Sequence, residues 1–175
     1  MRCLHPLAAA AEVSRDLDVA AQASEANRSP DGAGWTDVHV IQTPEHDYAQ
    51  AGLPVGAADA ALAPILPRVR RFAATAMAGF DGHDPFGTYE EDAYCYGVDA
   101  SLFVKLETNG AQVRHIWFQV ETGDPERLQD LKAALLAVDR LVPSIVADYW
   151  LDRTGPVSDP GFLDDYLAEL ADGRT

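Results

Sequence analysis

Five histidines, two cysteines and 28 acids are the groups with which this 175-residue chain could do chemistry. Two histidines sit beside carboxylates, His46 in Glu45-His46-Asp47 and His83 in Asp81-Gly82-His83-Asp84. A histidine next to an acid is the pairing that general acid–base catalysis uses. Both lie in stretches rich in Gly, Pro and Asp, which predict loops. Functional groups concentrate in loops, and so do solvated histidines and turn caps. No H-x-x-x-H or H-E-x-x-H spacing occurs among His5, His39, His46, His83 and His115, so no pattern predicts a metal centre. Cys95 follows Glu90-Glu91-Asp92, a charge that raises a thiol pKa and disfavours a nucleophile. Neither a G-x-S-x-G elbow nor a phosphate-cradling glycine loop is present. Neighbouring carboxylates such as Glu90-Glu91 and Asp164-Asp165 do not make an acid–base dyad by adjacency, because neighbours on a strand point apart. The expectation is no catalytic residue, no metal and no cofactor.

What stands out instead is charge. Against 28 acids there are 13 bases, a formal charge of −15, which repels phosphate backbones and favours encounter with a basic protein. Solubility alone is the plainer reading of the same number. The 47% apolar content supports a packed core rather than disorder. Cys3 and Cys95 are too few for a disulfide framework. The opening MRCLHPLAAAAEVSRDLDV has an apolar run broken by His5 and Pro6 and ended by Glu12, too short for a signal peptide. No apolar run approaches a membrane span. A cytoplasmic chain without membrane contact is expected.

The acids gather around aromatics. Asp81 to Glu107 holds seven acids and one base, with Phe86, Tyr89, Tyr94, Tyr96 and Phe103 among them. Asp148 to Asp172 holds seven acids and one base, with Tyr149, Trp150, Phe162 and Tyr166. Acids steer a basic partner and desolvated aromatics supply binding energy. The competing reading makes the tyrosines core and the acids a solvated rim. The candidate contact residues are Tyr89, Glu90, Glu91, Asp92, Tyr94, Tyr96, Phe103, Trp117, Asp164 and Asp165.

The elements that must position them read as follows. Residues 7 to 26 carry a weak helical stripe, Asn27 to Gly34 a loop, and Trp35 to Gln42 a β-branched strand. Apolar residues at helical steps predict a helix from about Ala57 to Ala78, either kinked at Pro64 and Pro67 or beginning only near Pro64. Strands are predicted at Tyr94 to Val98, Ser101 to Glu107 and Val113 to Glu121. Asn109-Gly110 marks a hairpin between the last two. A type I′ turn there would oppose Lys105 to Arg114, whereas a three-residue loop pairs Val104 with Ile116 and Leu102 with Phe118. The latter gathers Leu102, Val104, Leu106, Ile116, Phe118 and Val120 on a core face and is preferred. Phe103, Lys105, His115 and Trp117 then share the second face, with Phe103 opposite Trp117. Asp124-Pro125 opens a heptad-spaced helix, split at Pro143 and continuing to about Leu151. Ser158-Asp159-Pro160 opens the last one. The fold expected is α+β, an antiparallel sheet of about four strands covered by helices on one face, with an N-terminal helix and loop over 1–34 and a single domain over 35–175.

The segments GTYEEDAYCYGVDASLFVKLE and VRHIWFQVETGDPERLQDLKAALL have the hairpin-then-helix layout of bacterial immunity proteins, and the chain resembles that class in its size and acidity. The resemblance implies an inhibitory domain that binds a cognate toxin and blocks its active site, and it carries over no individual residue. Two alternatives stand beside it. One is a small enzyme in which His46, His83 and Tyr89 to Asp92 converge on one pocket. The other is an acidic inhibitor whose carboxylates mimic a nucleic acid.

Overall fold

The computed structural model describes residues 1–31, 34, 36–37, 40–41, 43–73 and 89–173. The first strand, β1 (Arg2–Pro6), precedes a short 3-10 turn over Leu7–Ala9 and helix α1 (Ala10–Ala26). Helix α2 (Val55–Leu62) follows, then three short strands, β2 (Arg68–Val69), β3 (Phe72–Ala73) and β4 (Tyr89–Glu90). A meander of β5 (Tyr94–Asp99), β6 (Leu102–Asn109) and β7 (Gln112–Val120) leads into α3 (Pro125–Asp139). The chain ends with β8 (Ser144–Asp148), β9 (Arg153–Pro156) and α4 (Pro160–Ala171).

Seven strands form one sheet in the order β2-β5-β6-β7-β1-β8-β9, antiparallel at every pairing, while β3 and β4 form a separate ribbon. The class is α+β as expected, but the sheet has seven strands rather than about four. Strand β1 accounts for the largest difference: the N-terminus lies between β7 and β8, paired to both. Helix cover also differs from the one-sided expectation. On β8, Val146 faces the main core while its neighbours Ile145 and Ala147 face α1, and successive residues of a strand point to opposite faces. The main core joins that sheet face to α2, α3 and α4 through Leu62, Leu131, Leu135, Leu163 and Leu167. Helix α1 covers the opposite face through Val13 and Leu17.

The hairpin places Val104 opposite Phe118, Leu102 opposite Val120 and Lys105 opposite Trp117, not the pairs expected. The loop is Gly110-Ala111, closed by Asn109 opposite Gln112, with a register shift between Glu107 and Thr108. Gly110 sits at φ 60°, the left-handed region that glycine enters without steric cost. Because the true register differs from the expected one by two residues, the side-chain faces survive. Leu102, Val104, Leu106, Ile116, Phe118 and Val120 all lie in the main core.

Two helical expectations and one strand are corrected. The helix from 57 to 78 ends at Leu62, and Pro67 precedes strand β2; residues 74–78 fall outside the described ones. Pro64 and Pro67 stop the helix instead of kinking it. The heptad continuation past Pro143 is strand β8, whose five residues are all buried between β1 and β9. Of the strand expected over 35–42, Thr36, Asp37, Val40 and Ile41 lie in no strand, and the rest fall outside the described residues. The two Asp-Pro starts hold. Asp124 accepts from the Glu126 N–H at 2.9 Å, and Asp159 from Gly161 at 2.9 Å and Phe162 at 3.3 Å. Close approach of α4 to β9 depends on Gly155, where a Cβ would lie 2.4 Å from the Phe162 ring.

Candidate partner-binding surface

The run Glu90-Glu91-Asp92 closes a tight turn between β4 and β5, with Asp92 at φ 55°. Strand β2 pairs with β5, Arg68 opposite Tyr96 and Val69 opposite Cys95, and this register delivers the basic cluster Arg68, Arg70 and Arg71 to the turn. Arg70 pairs with Asp92 at 3.2 Å and Arg71 with Glu91 at 3.0 Å. Glu90 reaches the buried ammonium of Lys105 at 2.9 Å. The Arg68 guanidinium donates to the Asp92 and Ala93 carbonyls and lies 3.9 Å from the Tyr94 ring centre. Arg71 lies 4.1 Å from that of Tyr89. Each acid of the run therefore has a base of its own, and two candidate tyrosines are capped by arginine.

The other candidates do not join this cluster on a surface. Tyr96 and Phe103 have no exposed surface. Tyr96 sits in the main core and donates to Asp59 at 2.7 Å. Phe103 packs edge-on against Phe72 and Trp117, with ring centres 5.7 and 5.3 Å apart. Neither can touch a partner directly. Trp117 is half-buried and donates to Glu107 at 3.1 Å. Asp164, ion-paired to Lys132, and Asp165 lie exposed on α4, on the other side of the sheet from Phe103 and Trp117.

A second region has the opposite character. The turn from β8 to β9 is organised by Asp148, which is fully buried. Its Oδ1 accepts the N–H groups of Trp150 at 2.9 Å and Leu151 at 3.2 Å. Its Oδ2 accepts from Arg2 Nε at 2.8 Å and the Tyr166 hydroxyl at 2.9 Å. A carboxylate meeting four donors fixes the turn rigidly. The turn presents Trp150 with 64% of its surface exposed. Three clefts meet at this side chain. One of about 440 Å³ is bounded by Arg2, Gln119, Glu121, Thr122 and Leu170. Another of about 400 Å³ runs past Met1, Glu107 and Trp117. A third, of about 280 Å³, lies toward α1 with Glu25, Arg28 and Asp152. Glu107, Glu121 and Asp152 are exposed and form no ion pair among the described residues. Trp150 is named among the aromatics of the second acidic stretch but not among the candidate contact residues; a tryptophan two residues from both Asp148 and Asp152 was the available signal.

Among the described residues, the groups suited to catalysis do not assemble. His46 Nδ1 lies 2.7 Å from Glu12 on α1, and the Glu45 N–H donates to the same carboxylate at 2.7 Å. These bonds, the histidine's first, hold the Glu12 carboxyl below its ordinary value. His83 and His39 fall outside the described residues. Both thiols are pushed up to about 12, mainly by burial. For Cys95 the acid Glu90 adds only a smaller upward push, opposed by Lys105, so burial and not the acidic run is the main cause. Among the described residues no three His, Cys, Asp or Glu side chains form a group suited to a metal ion. None of the described helices is long and apolar enough to cross a membrane.

Set against known proteins, the chain matches no family model, no curated protein and no solved structure.

Proposed function

We propose that this chain is an inhibitory protein-binding domain, an immunity protein that neutralises a cognate bacterial toxin in the cytoplasm by direct contact. The observation that carries the reading is Trp150, a large exposed aromatic with Glu107, Glu121 and Asp152 around it, carboxylates that form no ion pair among the described residues. Tryptophan is enriched among residues that dominate interface energies, and unpaired acids at a rim speed encounter with a basic protein. The chain's charge of −15 extends that field over the molecule.

The contact surface in this reading centres on Trp150, with Trp117 at its margin. Tyr89, Glu90, Glu91, Asp92 and Tyr94 are secondary, since a partner's bases would first have to displace Arg68, Arg70 and Arg71. The test is co-expression with the toxin encoded beside this gene, followed by isolation of a complex. Protection from the toxin and a stable complex are expected. A chain that neither protects nor binds contradicts the proposal. A complex displaced by DNA, with a steep salt dependence, would favour nucleic-acid mimicry.

A further inference from the structure

The chain has two asparagines, Asn27 and Asn109, and the fold treats them differently. Asn109 ends β6, is exposed, and its side chain has no hydrogen-bond partner among the described residues. Gly110 follows at φ 60°. Apart from its chain neighbours, no atom lies within 4 Å of where a Cβ on Gly110 would be, so the approach to its nitrogen is open. The Gly110 N–H donates to no backbone group among the described residues, because the loop is closed by Asn109 opposite Gln112. The register shift at Glu107–Thr108 separates this tip from the body of the hairpin. Only the β7 side of the tip is tied down: the Ala111 carbonyl accepts from the Val55 N–H at 2.9 Å, and the Val113 N–H donates to the Leu53 carbonyl at 2.9 Å. Asn27 contrasts at each point. It is half-buried at the end of α1, and its carbonyl accepts from the Thr36 N–H at 2.7 Å and hydroxyl at 3.1 Å. The residue after it is arginine, whose N–H is engaged with the Glu25 carbonyl at 3.4 Å.

A free carboxamide beside a free glycine N–H can close on itself. We infer that Asn109 is a site of spontaneous covalent modification, converted to aspartate and isoaspartate through a succinimide formed with Gly110. The Gly110 nitrogen, on losing its proton, attacks Asn109 Cγ. A C–N bond forms to that carbon, its bond to the side-chain nitrogen breaks, and ammonia leaves with the proton given up by Gly110. Water then opens the succinimide at either carbonyl. Opening at one returns an ordinary aspartate, which only adds a charge at an exposed position. Opening at the other routes the main chain through Cβ and lengthens it between residues 109 and 110. That second product disturbs α2, because this tip sets where the helix starts. Val55, the first residue of α2, bonds to Ala111, and Pro54 bridges to Gln112. Val55, Ala58 and Leu62 are the residues that carry α2 into the core. The modification is a slow, one-way loosening of that helix, and it proceeds whatever the chain binds.

The test needs only the full folded chain, held for weeks in warm, mildly alkaline buffer. Tryptic mapping by mass spectrometry follows the mass gained when an amide becomes an acid, and an isoaspartate-specific carboxyl methyltransferase labels the rearranged product. Both signals should appear in the fragment spanning residues 106–114, and they should appear faster as pH rises, because the attacking nitrogen must lose its proton. Loss of the Asn109 amide should run at least about tenfold faster than loss of the Asn27 amide in the same sample. Asn109→Gln, an exposed substitution, should remove both signals from that fragment. In urea, the isoaspartate-bearing fraction should unfold at a lower midpoint than fresh chain, while Asn109→Asp, which adds the charge without lengthening the main chain, should match fresh chain. Asn109 reacting no faster than Asn27, or the same mass gain in Asn109→Gln, would overturn the site. An isoaspartate-bearing chain as stable as fresh chain would overturn its link to α2.

Discussion

At the turn after β4, the carboxylates of Glu90, Glu91 and Asp92 each meet a base, at 2.9, 3.0 and 3.2 Å, and arginines cover Tyr89 and Tyr94. At the turn after β8, one buried carboxylate holds the backbone, while Trp150 stands exposed beside acids that have no ion pair among the described residues. Both regions combine acids with aromatics. In the first, folding has used the charges internally. In the second they are left facing outward. An acidic, aromatic stretch is thus a contact candidate only when nothing in its own fold neutralises it.

The comparison can be strained hardest at Asp148. Asp148→Ala leaves the buried Arg2 unpaired and frees two backbone donors of the Trp150 turn, so urea unfolding should show a loss of about 3–5 kcal/mol. A loss under about 1 kcal/mol would mean that the turn is not organised by this carboxylate.

Acid should act next, on the same half of the sheet. Burial first, and His115 second, lower His5 from 6.5 to about 4. The folded chain therefore binds this proton less readily than the unfolded chain. The contribution is intact above about pH 6.5 and is lost as pH falls toward 4, by up to about 3 kcal/mol. His5→Gln should flatten that part of a stability-versus-pH curve.

Glu90→Ala probes the neutralised turn. Lys105, 3% exposed, would keep the Leu106 carbonyl at 2.9 Å and the Phe72 ring at 5.6 Å but no counter-charge, a cost of about 1–3 kcal/mol. Lys105→Met should cost less, because no buried charge is then stranded. Arg71→Ala and Arg70→Ala should each change the midpoint by under about 1 kcal/mol, because both pairs are exposed.

Several of these features could be read before the fold was known. The Asp-Pro starts at Asp124 and Asp159 are local chemistry and held. The hairpin faces held because a slip of two residues preserves alternation, although the shift at Glu107–Thr108 that sets the register left no mark in residue type. Strand β1 hid inside a stretch that invited a reading as a leader, and its burial depends on β7 and β8, more than a hundred residues away. Ile145 and Tyr149 fell on heptad positions by coincidence, which concealed β8 and placed Trp150 on a helix. The pairing of Glu91 with Arg71 across the β3–β4 ribbon is likewise long-range, so composition marked Tyr89–Asp92 as a surface without showing what already occupied it.

The central claim is that the contact surface is the Trp150 turn and not the Tyr89–Asp92 turn. Its most direct measurement is the affinity of the partner proposed above, a toxin captured by co-expression, for Trp150→Ala and for the double variant Glu91→Gln/Asp92→Asn, both confirmed as folded. We predict a loss of about 2 kcal/mol or more, some thirtyfold in Kd, for Trp150→Ala and little change for the double variant. The reverse pattern, with Trp150→Ala binding as the unaltered chain does and the double variant failing, would contradict the account.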